Sequence, residues 1–276
     1  MKTWALIVDT WREARARYTL LGFVAASTLF LLTIAFALNL DIVDGSLAAG
    51  SLFGKAFDLP GNTLDIAEIV TQSEAAFAGM LYGLGIFLAV FSTGSQVPSL
   101  MRRGTVDLYL TRSTSRVHVL LGRFVGATTL VTANLAYLCG GLFVIISLKT
   151  GVWNLRFLGA GAIILLAFLS FLGFMYLVGT LSGSTPLSIM LPYALYVMSA
   201  PLAAHDRIAA AMDSRFWANV VHGLYWILPK TTEIGRDLVA LVLGRGTPEL
   251  LPMATTAAFG AVCLTVSALV FRRKDF

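Results

Sequence analysis

Six apolar runs contain no Asp, Glu, Lys, Arg or His: Tyr18–Leu40, Ala75–Val97, Phe124–Leu148, Phe157–Leu181, Leu187–Ala204 and Leu250–Phe271. A hydrocarbon core about 30 Å thick, divided by a helical rise of about 1.5 Å per residue, needs roughly 20 residues per crossing. The runs are 18 to 25 residues long, and inside lipid a helix satisfies its own backbone hydrogen bonds. The 57% apolar and 13% charged content of the 276 residues compares with roughly 45–50% and 25% in soluble domains. A water-soluble enzyme is excluded. The expected fold is an all-α polytopic membrane protein with six transmembrane helices in one transmembrane domain, 1–276.

Six crossings place both ends of the chain on one side. Twelve of the twenty Lys and Arg residues flank three places: Lys2, Arg12, Arg15 and Arg17 precede the first run; Arg102, Arg103, Arg112, Arg116 and Arg123 occupy the second connection; Arg272, Arg273 and Lys274 follow the sixth. The positive-inside bias assigns these to the cytoplasm. The first outer loop, Asp41–Glu74, is acidic, with Asp41, Asp44, Asp58, Asp65, Glu68 and Glu74 against Lys55. The 205–249 connection is charge-balanced and is placed outside by parity. Within it Phe216–Leu228 is too short to cross and suits a re-entrant or interfacial segment ending at Pro229. Trp217, His222, Trp226, Pro229 and Lys230 mark this outer re-entrant region.

The first run is too long for a signal-peptide core and no A-x-A site follows it, so it reads as an uncleaved span. Residues 1–17 form a separate element. At 100° per residue Trp4, Ile7, Val8 and Trp11 share one face, and Asp9, Arg12 and Glu13 lie opposite, the pattern of a helix lying in the membrane plane. All five tryptophans fall outside the six runs, where indole favours the lipid boundary.

Chemistry is sparse. The runs hold no charged residue to bind a coupling ion or proton, so uphill transport would need energy from another polypeptide. No phosphate-binding G-x-x-x-x-G-K-[ST] occurs, and no G-x-S-x-G, H-E-x-x-H or G-x-G-x-x-G. Cys139 and Cys263 sit in apolar runs and behave as small hydrophobes. His118, His205 and His222 are scattered without helical ligand spacing, which argues against a zinc-type site. The net charge of +5 is explained by membrane orientation, and no nucleic-acid partner is expected. Two G-x-x-x-G motifs, Gly79–Gly83 and Gly122–Gly126, allow close helix approach, within the subunit or across a dimer seam.

The connection Pro98–His118 is far longer than the two to eight residues, roughly, that join bundle helices. Pro98 is suited to start a short helix and Gly104 to end it. From composition, this connection is either a loop held on anionic lipid by its arginines or a docking surface for a soluble partner.

Residues 103–116, RGTVDLYLTRSTSR, followed by Leu120-Leu121-Gly122-Arg123, resemble the G-T-x-[DE]-L-L-L-x-x-P-x-S-R…L-x-G-K region between spans two and three of ABC-2 type transporter permeases. Trp11-Arg12-Glu13-Ala14-Arg15, Leu228-Pro229-Lys230-Thr231 and the closing Phe271–Phe276 are similar to further family features. The chain departs from the pattern at Ser113, where proline is usual, and at Leu100 and Arg102, where many members have glutamate. The resemblance implies a non-catalytic exporter permease of the plasma (inner) membrane, both termini cytoplasmic. It would pair with a second permease, identical or similar, and with two ABC ATPase subunits, which carry ATP and Mg; this chain has no cofactor. It also implies that the coupling segment 98–118 contacts the ATPase through Pro98, Leu100, Met101, Arg102, Arg103, Gly104, Thr105, Val106, Asp107, Tyr109 and Arg116. Residues 1–17, with Trp4, Trp11, Arg12 and Glu13, become the interfacial helix, Phe216–Leu243 the outer re-entrant helices, and spans one, two and five the path. The alternative from another class is a membrane scaffold or sensor that docks a cytoplasmic protein; a lipid-directed enzyme has only His205, Asp206 and His222 to work with.

Overall fold

The computed structural model describes residues 2–16, 18–43, 46–52, 55–57, 66–101, 115–212 and 214–274. The elements begin with α1 (Lys2–Ala16), α2 (Thr19–Ala37), β1 (Leu38–Val43), β2 (Ser46–Leu52) and β3 (Lys55–Phe57). They continue through α3 (Ile66–Met80), a π-helical turn (Leu81–Gly85), α4 (Ile86–Thr93), α5 (Gln96–Leu100), α6 (Arg116–Thr150), α7 (Arg156–Ser182) and α8 (Thr185–Leu202). The last are α9 (His205–Ala210), α10 (Arg215–Ile227), α11 (Thr231–Val242) and α12 (Leu250–Arg273).

Five helical stretches among the described residues are long and apolar enough to cross a membrane: Ala67–Leu100, α6, α7, α8 and α12. The strongly apolar α2 follows α1 across a 72° bend, and the bent pair would make a sixth crossing if it counts as one span; at the bend Tyr18 takes a left-handed φ of 59°. Leu29, Phe36, Phe91, Leu148, Val197 and Val262 all point outward. In water this would be an extensive uncovered apolar surface; in lipid it is ordinary solvation. The chain is a helical membrane protein on the length and composition of its helices.

The helices alternate in direction and define two ends. α1, α5, the start of α6, the end of α7 and the end of α12 meet at the first: Arg116 donates to the Lys274 carbonyl, and Lys274 Nζ donates to the Thr180 carbonyl at 2.9 Å. The start of α3, the α6–α7 turn and α9–α11 gather at the second. Local chemistry sets the ends of the long helices. Ser115 caps α6 by accepting from the His118 amide at 3.3 Å, and Gly151 and Gly183 end α6 and α7 with left-handed φ of 74° and 64°, which glycine adopts freely.

α7 is the central helix, burying Phe157, Phe168, Phe171, Leu172, Met175 and Tyr176. Against it α12 comes to backbone contact. A Cβ at Gly173 would overlap the Gly260 carbonyl, and one at Gly260 would overlap the Ser170 backbone. Such an approach lets Ser170 Oγ donate to the Thr256 carbonyl at 2.6 Å and places Thr180 Oγ1 2.8 Å from Ser267 Oγ. Between α2 and α6, Ser27 and Asn134 exchange hydrogen bonds of 3.1 and 2.9 Å. These polar contacts join helices where apolar burial supplies little drive.

Several expectations need correction. The first helix ends at Ala37, and residues 38–40 belong instead to a small antiparallel sheet, order β1-β2-β3, in an otherwise helical chain. The second membrane-length stretch begins well before Ala75 and includes Glu74, which is buried rather than in a loop. α6 begins at Arg116, two turns ahead of Phe124, and carries the buried Arg123. A helix tolerates a charged residue that finds partners, so a charge-free run understates its length.

Gly173→Ala and Gly260→Ala are each expected to lower stability by about 1–3 kcal/mol through overpacking, although alanine is the better helix former. Gly140→Ala, at a helical position with nothing within 4 Å of the added Cβ, should raise it by about 0.5–1 kcal/mol. Denaturant titration in detergent micelles checks the opposite signs.

Candidate functional site

The first end is organised around Arg123. Leu6, Thr10 and Ala14 recur every four residues on α1 and are buried against α6. Gly122 and Gly126 make room, since a Cβ at either would overlap Leu6 or Thr10. The G-x-x-x-G motif entering the third span is thus used within the chain. Between the two glycines Arg123 is 3% exposed. Its guanidinium pairs with Glu13 and lies 3.4 Å from Asp9. Ser99 of α5 donates to the same Glu13 carboxylate at 3.4 Å, and Trp11 Nε1 donates to Thr129 Oγ1 at 3.1 Å. Three elements, α1, α5 and α6, are therefore tied at one charged node. Pairing with two carboxylates compensates a guanidinium withdrawn from solvent.

The polar side of α1 is used within the chain: Asp9 and Glu13 reach Arg123, while Trp4 is exposed and Trp11 half-buried. Arg12 is exposed, as expected. Of the residues assigned to partner contact, Pro98 and Leu100 are buried inside α5, which packs on α6 and α7, so they brace the segment instead of displaying it. Pro98 lies two residues after the helix start rather than at it. Met101 is partly exposed, and Arg116 is engaged with Lys274. Arg102, Arg103, Gly104, Thr105, Val106, Asp107 and Tyr109 lie outside the described residues.

At the second end, α10 presents Phe216, Trp217, Trp226 and Ile227 outward and buries none of its residues, the form of a helix whose apolar face meets lipid. Lys230, after Pro229, is 3% exposed. Its amide donates to Thr256 Oγ1 at 3.0 Å, its ammonium donates to Thr255 Oγ1 at 3.2 Å, and the ammonium sits 4.4 and 4.8 Å from the Tyr225 and Trp226 ring centres. Burial lowers the Lys230 pKa, and Glu233 partly restores it. The Tyr225 phenol, 3.3 Å from Glu233, is pushed up to about 12 by burial first and then by Glu233, Asp206 and Glu249.

Two further features lie between the helices. Glu74 is fully buried and accepts from Asn154 Nδ2 at 2.8 Å, which also donates to the Val242 carbonyl at 3.1 Å. A groove of about 730 Å³ runs between the second span, α8 and α11, lined by Tyr82, Tyr196, Thr232, Arg236 and Arg245 among others. The motif pair Gly79–Gly83 faces Val239 and Tyr196 here. Packing places aromatic rings and two cations along one opening.

These features define a helical membrane protein with a charged node at one end and an aromatic, cationic groove toward the other. No protein-family model matches the chain, and no curated protein matches it. The Arg123 node escaped sequence reasoning because its partners stand 110 and 114 residues apart; the arginine beside Gly122-x-x-x-Gly126 was its visible trace.

Glu13→Ala should destabilise by about 2–3 kcal/mol, because it strips a charged hydrogen bond from a buried guanidinium. Arg12→Ala on the exposed face should stay within about 0.5 kcal/mol. The comparison is read by denaturant titration in micelles.

Proposed function

We propose that the chain is the transmembrane permease subunit of an ATP-driven ABC transporter, an exporter acting as a dimer with two separate ATPase subunits. The observation that carries this reading is the Arg123 node. Segment 102–114, which bears the family-like motif, leaves α5 and enters α6, and both are tied to α1 through Arg123, Glu13 and Ser99. A push on that segment reaches α1 and the first turns of α6 as one body. Such a joint suits a motor that binds ATP and Mg on a different polypeptide. The groove between spans two and five and α11 matches two of the three spans expected to line a path. On this reading the Arg123 end is cytoplasmic, six spans cross the plasma (inner) membrane, and α10 and α11 are the outer re-entrant pair.

Purification of the tagged chain from native membranes in mild detergent, followed by mass spectrometry, is expected to recover a P-loop ATPase near two copies per permease pair. Recovery alone, or with a soluble partner lacking a P-loop, would favour the scaffold alternative. In the assembled complex Arg103→Glu is expected to uncouple ATP hydrolysis from transport while the spans stay folded; an unchanged hydrolysis rate and flux would count against the coupling role.

A further inference from the structure

The α9–α10 hairpin brings together side chains that the transport reading does not use. His205, Asp206 and His222 each offer one ligand atom, and the three atoms lie within 4.8 Å of one another. Nε2 of His205 is 3.3 Å from Asp206 Oδ1. That is the separation of two ligands on one tetrahedral ion, since metal-to-ligand bonds of about 2.0–2.1 Å at a tetrahedral angle put ligand atoms about 3.3 Å apart. The His205 and His222 rings meet edge to face, 5.2 Å between centres. The Asp206 carboxylate is 80% exposed and free to turn toward an ion.

An observation independent of the spacing supports an ion here. The Tyr225 ring stacks on His205 at 3.6 Å with a 12° interplanar angle, holding the imidazole in a fixed plane as ligand orientation requires. Glu233 and Glu249 add negative charge nearby. Two imidazoles and one carboxylate suit zinc and its first-row neighbours rather than magnesium or calcium.

We propose that His205, Asp206 and His222 form a divalent transition-metal site that clips α9 to α10, with a fourth position open to water. The site is separate from the ATPase-coupling reading and stands whether or not that reading holds.

The test uses the full chain in detergent, carrying a tag without histidine and stripped with chelator, titrated with zinc against a fluorescent indicator and with cobalt by visible absorption. One zinc per chain is expected, with cobalt absorption of tetrahedral intensity. His222→Ala and Asp206→Asn should each weaken zinc binding at least tenfold, and His118→Ala, at the far end, should leave it unchanged. Circular dichroism of each variant checks that the helices persist. No zinc binding at micromolar metal, a weak octahedral cobalt spectrum, or binding unaffected by His222→Ala would overturn the proposal. Should His222→Ala fail to fold, the wild-type cobalt spectrum and the Asp206→Asn variant decide the question.

Discussion

The packing of this chain depends on how closely α12 can approach α7. Where Gly173 meets Gly260 no side chain intervenes, and the backbones of the two helices touch. That approach sets the polar contacts on either side of it, Ser170 to Thr256 and Thr180 to Ser267, and fixes where the second end begins, because Thr256 also accepts the amide of Lys230. α11 in turn rests on α7 and on the second span, where Tyr82 donates to the Thr231 carbonyl at 2.6 Å. In lipid, small residues and buried hydroxyls are what distinguish one arrangement of apolar helices from another. The groove and the α9–α10 hairpin inherit their positions from this contact.

The Arg123 node answers a different need. α1 is too polar to be held by apolar burial alone, yet it lies against a membrane-length helix. Its Leu6–Thr10–Ala14 stripe supplies a narrow contact on the two glycines of α6, and the acidic residues beside that stripe complete the attachment. Orientation and adhesion are divided between small-residue contact and charge. The same division recurs at the second end, where Lys230 is held by two threonines and two aromatic faces.

Much of the fold was legible because lipid imposes a coarse rule: a charge-free run of sufficient length becomes a helix. The rule failed where side chains escape it. Glu74 is buried because Asn154 donates to it, and Arg123 because Asp9 and Glu13 meet it, partners too distant in sequence for a run-by-run reading. The strands were overlooked although Leu38-Asn39-Leu40-Asp41-Ile42 alternates apolar and polar residues, a period of two at the end of an apolar run. Helical spacing tests ligands on one helix only, so it could not show that His205 and His222, from two helices folded onto each other, come together. Local pattern did suffice for α10, whose thirteen residues, Arg215–Ile227, nearly coincide with the short apolar stretch before Pro229.

The π turn at Leu81–Gly85 has a mechanical meaning for the second span. It is a dislocation in the helical lattice: the residues before it and those after it are out of angular phase with an uninterrupted α-helix. Gly79 thus addresses α11, while beyond the fault Phe87 takes up α8, stacking on Tyr193 and accepting its hydroxyl at 2.6 Å. A single π turn of this kind lets one helix present different faces on either side of it. The second span therefore meets α11 with one half and α8 with the other without breaking its helical continuity.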